Sequence, residues 1–167
     1  MISKKARNRK KVIFFAMRLV ALINPGSLSL FQIKIIRKLV LFASYRRSSV
    51  NNVVVKKISI DQLKLYRIIP NKISDTKKVL FFHGGGFFVG NFKIYRSYVS
   101  FLAEVLCREI IFVEYKLSPE SKYPRQLEDA KKAYSFILGE EKKPNIILAG
   151  DSAGGNLALA LMLALNE

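Results

Sequence analysis

The sequence holds one cysteine, one histidine and no tryptophan, and no acidic residue stands before Asp61. A lone Cys107 excludes an intramolecular disulfide, and its place at the end of the apolar-periodic stretch 98–106 predicts a buried structural thiol rather than a reactive one. With a single histidine there is no Cys/His cluster, so no metal site is expected, and no cofactor motif is present. Long apolar runs are also lacking. The stretch 12–23 is interrupted by Arg18 and is too short to span a bilayer. It follows a cationic run, 3–11, as in a secretory signal, yet no small-x-small cleavage pattern comes after it, and Asn24-Pro25-Gly26-Ser27 reads as a turn. The expected location is cytoplasmic, with membrane association through the basic N-terminus as the alternative.

What the sequence does have is positive charge, unevenly placed. Of 29 lysines and arginines, 14 precede Asp61, whereas the remainder of the chain carries 15 basic and 12 acidic residues. The net charge of +17 therefore belongs to an N-terminal segment and not to the whole fold. Half the residues are hydrophobic and a quarter charged, which suits a folded chain with one core. The expected division is a basic, amphipathic helical segment over 1–50 and a globular part over 51–167.

Within the first segment a helix is predicted from near Leu30, because Ser29 and Gln32 are spaced as a capping box. Phe31, Ile35, Leu39 and Phe42 recur at helical spacing, with Lys34, Arg37 and Lys38 assigned to the opposite side. Two readings stay open: helices packed over a core with a solvated basic face, or a helix lying on an anionic membrane surface. The basic run contains no nucleic-acid reader motif, so no specific nucleic-acid partner is expected.

From about residue 53 the pattern changes. Residues 53–55 and the alternating stretch 63–69 read as strands, and 78–82, 110–113 and 145–148 are short apolar runs suited to strands buried on both faces. Helical patterns over 95–107, 126–138 and 154–165 alternate with them. Strand–helix alternation is the signature of an α/β fold with a mostly parallel sheet and right-handed crossovers.

Three motifs sit on this frame. Gly150-Asp151-Ser152-Ala153-Gly154 matches G-x-S-x-G between an apolar strand and an Ala/Leu-rich helix, the setting of a nucleophile elbow. An ordinary glycine turn with a capping serine is the plainer alternative. His83-Gly84-Gly85-Gly86-Phe87 follows the strand 79–82, and its glycines can turn N–H groups toward a substrate oxyanion. A phosphate loop is disfavoured, since no Lys-Ser or Lys-Thr pair follows. Tyr115-Lys116-Leu117-Ser118-Pro119-Glu120, then Tyr123-Pro124 and Leu127-Glu128-Asp129-Ala130, form a strand end, a proline-rich turn and a helix entrance; alone they indicate little.

Together these segments, from about residue 62 onward, closely resemble the hormone-sensitive-lipase-like family of α/β-hydrolases, which includes microbial carboxylesterases. The run Gly150 to Ala158 matches that family's Gly-Asp-Ser-Ala-Gly-Gly-Asn-Leu-Ala without a change, while the Tyr-Arg-Leu-Ala-Pro-Glu segment differs here at Lys116 and Ser118. The resemblance implies a carboxylic-ester hydrolase acting on a small-molecule ester. Ser152 would be the nucleophile, the N–H groups of Gly85, Gly86 and Ala153 the oxyanion hole, and His83 and Gly84 the loop's support. It also implies that N-terminal helices serve as part of a cap.

In α/β-hydrolases the acid and then the histidine follow the serine along the chain. After Ser152 this sequence has no histidine and only Glu167 as an acid. His83 is the only candidate base, and it lies in the oxyanion loop. The expectation is a truncated frame in which the strand near 145–148 forms an apolar edge. Three states follow from that expectation: an esterase completed by a second chain that supplies acid and base, a catalytically silent homologue, or a membrane-surface or ligand-binding module.

Overall fold

A β-hairpin opens the sheet: β1 (Val53–Ile60) runs antiparallel to β2 (Leu63–Pro70) across a two-residue turn at Asp61 and Gln62. The computed structural model describes residues 29–44, 52–140 and 145–166. Three further strands, β3 (Lys78–Phe82), β4 (Ile110–Glu114) and β5 (Ile146–Gly150), complete a five-stranded sheet of order β1-β2-β4-β3-β5. β3 is parallel to both β4 and β5, while β2 is antiparallel to β4. The sheet is therefore mixed: its parallel half carries the strand–helix alternation, and the hairpin adds an antiparallel margin.

The helices are α1 (Leu30–Ser44), α2 (Phe92–Leu106), α3 (Arg125–Glu140) and α4 (Ala153–Ala164). β3 is buried along its whole length, and its side chains alternate between two cores. Leu80 and Phe82 join Leu65, Ile111 and Val113 beneath Ala133 and Ile137 of α3 and Leu157 and Leu161 of α4. Val79 and Phe81 join Ile68, Ile110 and Phe112 beneath Val99 and Ala103 of α2. Helices thus cover both sheet faces, which is why β3 and β4 read as nearly uniform apolar runs.

α2 begins three residues before the start expected from periodicity, because Asn91 caps it by accepting the Ile94 amide at 3.0 Å. It ends at Cys107, which takes a left-handed conformation (φ 49°) and donates its N–H back to the last turn. Cys107 is half-buried, so the expected buried thiol gives way to a cap residue whose role is conformational.

The chain divides into two compact units, 1–35 and 36–167. The boundary expected at residue 50, the cationic run 3–11, the stretch 12–23, the turn 24–27 and Glu167 all lie outside the described residues, as does the side chain of Phe42. The capping box at the start of α1 is present: Ser29 N donates to Gln32 Oε1 at 2.8 Å and Gln32 N to Ser29 Oγ at 3.3 Å. The expected helix faces are not. Phe31, Ile35 and Leu39 are 72, 41 and 63 % exposed, whereas Ile33 is buried. Arg37 does not share a solvated face with the lysines. Its guanidinium donates to Phe88 O at 2.7 Å and Ser118 O at 2.9 Å, and it pairs with both oxygens of Glu120. A bidentate ion pair plus two carbonyls satisfies the guanidinium fork, and that combination turns the helix.

Candidate active site

β3 and β5 end level with one another, since Phe82 pairs with Gly150. The two segments that follow, 83–87 and 151–154, therefore leave the sheet side by side. This adjacency brings the two glycine motifs together.

At the elbow Gly154 passes so close to the neighbouring strand that a Cβ there would stand 2.0 Å from Phe82 O. Only glycine permits the approach. Ser152 sits between strand and helix at φ 50°, ψ −120°, a strained backbone for a residue with a side chain. Its side chain is exposed and makes no capping hydrogen bond. The serine hydroxyl is thus not spent on capping, as the plain-turn alternative required. Ala153 opens α4, so its N–H is one of the orphan donors at a helix start.

The loop after β3 is held open by the same kind of constraint. Gly85 has φ +112°, and a Cβ there would fall 1.9 Å from Val89 O. Its carbonyl accepts the Phe88 and Val89 amides at 3.1 and 2.9 Å, which closes a tight turn. Gly85 and Gly86 are exposed. Among the described residues the amides of Gly85, Gly86 and Ala153 have no hydrogen-bond partner.

His83 lies beneath this loop, fully buried and stacked on Tyr115 (ring centroids 4.3 Å apart, 9° between planes) and on Phe112. Its Nδ1 meets Gly84 O at 2.8 Å, and its Nε2 has no partner among the described residues. Burial lowers its pKa, against the smaller opposing effects of the Gly84 carbonyl and the Asp151 carboxylate, so the ring is neutral. No hydrogen bond joins it to Ser152.

Asp151 and residues outside the two glycine loops fix much of the geometry. Asp151 Oδ1 accepts the Gly84 amide at 2.9 Å, and Oδ2 accepts the Tyr95 hydroxyl at 2.9 Å. The same Gly84 amide also reaches the Tyr95 oxygen at 3.1 Å. Burial, and then the Asp151 carboxylate, push the Tyr95 phenol well above its ordinary pKa, so it stays a donor. Tyr115 donates to His83 O at 2.5 Å, and Ser118 N donates to Phe87 O at 2.8 Å. Asp129, 1 % exposed, accepts the Lys116 amide at 2.9 Å and pairs with Arg125. The segment 115–130, mute as sequence, is therefore the brace of the loop. The signal that could have found it was its polar residues at positions the pattern makes apolar: Tyr115 at a strand end and Asp129 on the inner face of a helix.

A cavity of about 350 Å³ opens one loop away, lined by Arg37, Lys64, Glu114, Lys116 and Glu120 among others. Ser152 is not part of its lining, and its charged walls do not suit an acyl chain.

Comparison with known proteins decides what this arrangement belongs to. Residues 79–167 match the family described as alpha/beta hydrolase fold. The chain belongs to the α/β-hydrolases. Within them it groups with the hormone-sensitive-lipase-like esterases. It is 38 % identical over 100 residues to an esterase of Acinetobacter venetianus, covering 59 % of this chain and 33 % of that protein. It is 41 % identical over 101 residues to the hormone-sensitive lipase of Ictidomys tridecemlineatus, covering 56 % of this chain and 13 % of that one. The crystal structure of an esterase from the bacterial hormone-sensitive lipase family superposes with a TM-score of 0.76 at 25 % identity, over 84 % of this chain and 48 % of that chain. This α/β-hydrolase chain thus spans a third or less of these two curated relatives and about half of the solved structure. β5 is an edge strand among the described residues, with Ile147 37 % exposed. On α4, Leu159, Met162 and Leu163 are also exposed.

Proposed function

We propose that this α/β-hydrolase chain carries the nucleophile and the oxyanion hole of a carboxylic-ester hydrolase, and that the base and acid come from polypeptide outside this sequence. The observation that supports it is Ser152: strained, exposed and uncapped at the start of α4, next to a loop in which the Gly85 and Gly86 amides lack partners among the described residues. In the first step Ser152 Oγ bonds to the ester carbonyl carbon and the carbonyl oxygen becomes an oxyanion. The N–H groups of Gly85, Gly86 and Ala153 stabilise that charge. The Oγ proton passes to a base and then to the departing alcohol as the ester C–O bond breaks, leaving an acyl-serine that water hydrolyses.

Serine needs that base, because its hydroxyl is a weak nucleophile at neutral pH. His83 is the sole histidine of the sequence, and its ring is neutral, stacked and bonded to Gly84 O, not to Ser152. The segment that brings the base would pair with β5 and cover the exposed side of α4, since both present apolar surface that no described residue covers. The same burial of His83 favours a second reading, in which the chain by itself is catalytically silent.

Acyl transfer from p-nitrophenyl acetate separates the two. With imidazole added as an external base, the first reading expects one acetyl group on Ser152, located by intact mass and peptide mapping and formed faster than without imidazole. No acetylation of Ser152 under those conditions supports the silent reading.

A further inference from the structure

The outward side of α1 presents Phe31, Ile35 and Leu39 at four-residue spacing, all exposed, with exposed Lys34 and Lys38 alongside. The helix contains no acidic residue. Arg37, the other cation of this stretch, is drawn away to Glu120 and two carbonyls, so the apolar stripe is edged by lysines alone. In water such a stripe gains nothing from its exposure. At a lipid–water interface the same side chains are buried, and flanking lysines reach up to the headgroups along their aliphatic stems.

We propose that this face of α1 lies in the plane of an anionic lipid surface, with Phe31, Ile35 and Leu39 inserted at the headgroup–acyl boundary. Charge selects the partner. The chain before Asp61 carries 14 lysines and arginines and no acid, which suits a negatively charged surface. A second copy would set two such cationic segments against each other. A nucleic acid would engage the lysines but leave the stripe in water. Among the described residues no helix is long and apolar enough to cross a membrane, so the contact is peripheral.

Co-sedimentation of the full chain tests this, using vesicles of phosphatidylcholine alone and of phosphatidylcholine with phosphatidylserine. Binding to the mixed vesicles, weak binding to the neutral ones and loss of binding in high salt are expected. The variant Phe31→Ser/Ile35→Ser/Leu39→Ser, altered only at exposed positions, is expected to bind at least about tenfold more weakly with unchanged circular dichroism and melting temperature. Lys34→Gln/Lys38→Gln is expected to bind about tenfold more weakly as well. Equal binding to both vesicle types overturns the proposal. So does undiminished binding by the triple serine variant, whether or not the chain is also captured by duplex DNA, because charge alone then explains the attraction.

Discussion

The carboxylate of Asp151 accepts the amide of Gly84 at 2.9 Å, joining residues 67 positions apart in the sequence. One belongs to the glycine loop after β3, the other precedes the exposed serine. The hydroxyl of Tyr95 on α2 closes the group through the second carboxylate oxygen. A side chain next to Ser152 thus sets where the loop stands relative to it.

Asp151→Ala should therefore act on stability and on the site together. It leaves the Gly84 amide and the Tyr95 hydroxyl without their acceptor, at a cost of about 1–3 kcal/mol. Urea unfolding measures the loss. Asp151→Asn keeps one acceptor oxygen and should lose less.

The glycines divide into those that are needed and those that are not. At Gly154 a Cβ would stand 2.0 Å from backbone at Phe82, so Gly154→Ala should destabilise by about 3 kcal/mol or fail to fold. Gly139, on α3, has nothing within 4 Å of where a Cβ would stand. Gly139→Ala should leave the fold intact and raise stability by up to about 1 kcal/mol through helix propensity alone. Thermal melting of the two variants gives opposite signs if the elbow is as tight as described.

Tyr115→Phe removes the donor to His83 O inside the core. A buried carbonyl without its partner should lower stability by about 1–2 kcal/mol. Because the ring stack on His83 persists, hydrogen exchange should quicken most at the amides of 84–86, which tests the brace more finely than melting does.

Legibility in the sequence follows the range of the interaction. Residues 78–82 read as a strand and form β3 over the same span, because burial on both faces leaves a continuous apolar run. The two glycine motifs are legible because tight turns restrict residue type at each position. The Asp151–Gly84 and Tyr115–His83 bonds are not, since each joins residues distant in sequence and nothing local says which residue meets which. α1 misleads for a related reason. Its pattern admits two opposite faces, and the choice is made by Arg37 finding Phe88, Ser118 and Glu120, three residues more than fifty positions away.

His83 also predicts a pH response. Its folded pKa is lowered from 6.5 by burial, so above 6.5 the ring is neutral in both folded and unfolded chains and contributes no slope. Below 6.5 the unfolded chain takes up a proton that the folded chain refuses. Stability should fall there by up to about 1.4 kcal/mol per pH unit. His83 is the only histidine, so urea midpoints between neutral and mildly acidic pH report mainly on it. A midpoint that rises on acidification would contradict the neutral buried ring.

Whether Ser152 is a nucleophile awaiting a base is tested by intact-mass analysis and peptide mapping after treatment with a fluorophosphonate, with and without imidazole. One adduct on Ser152 is expected, formed faster with imidazole and absent from Ser152→Ala. Adducts scattered over other serines, or none on Ser152 even with imidazole, would contradict a nucleophilic Ser152.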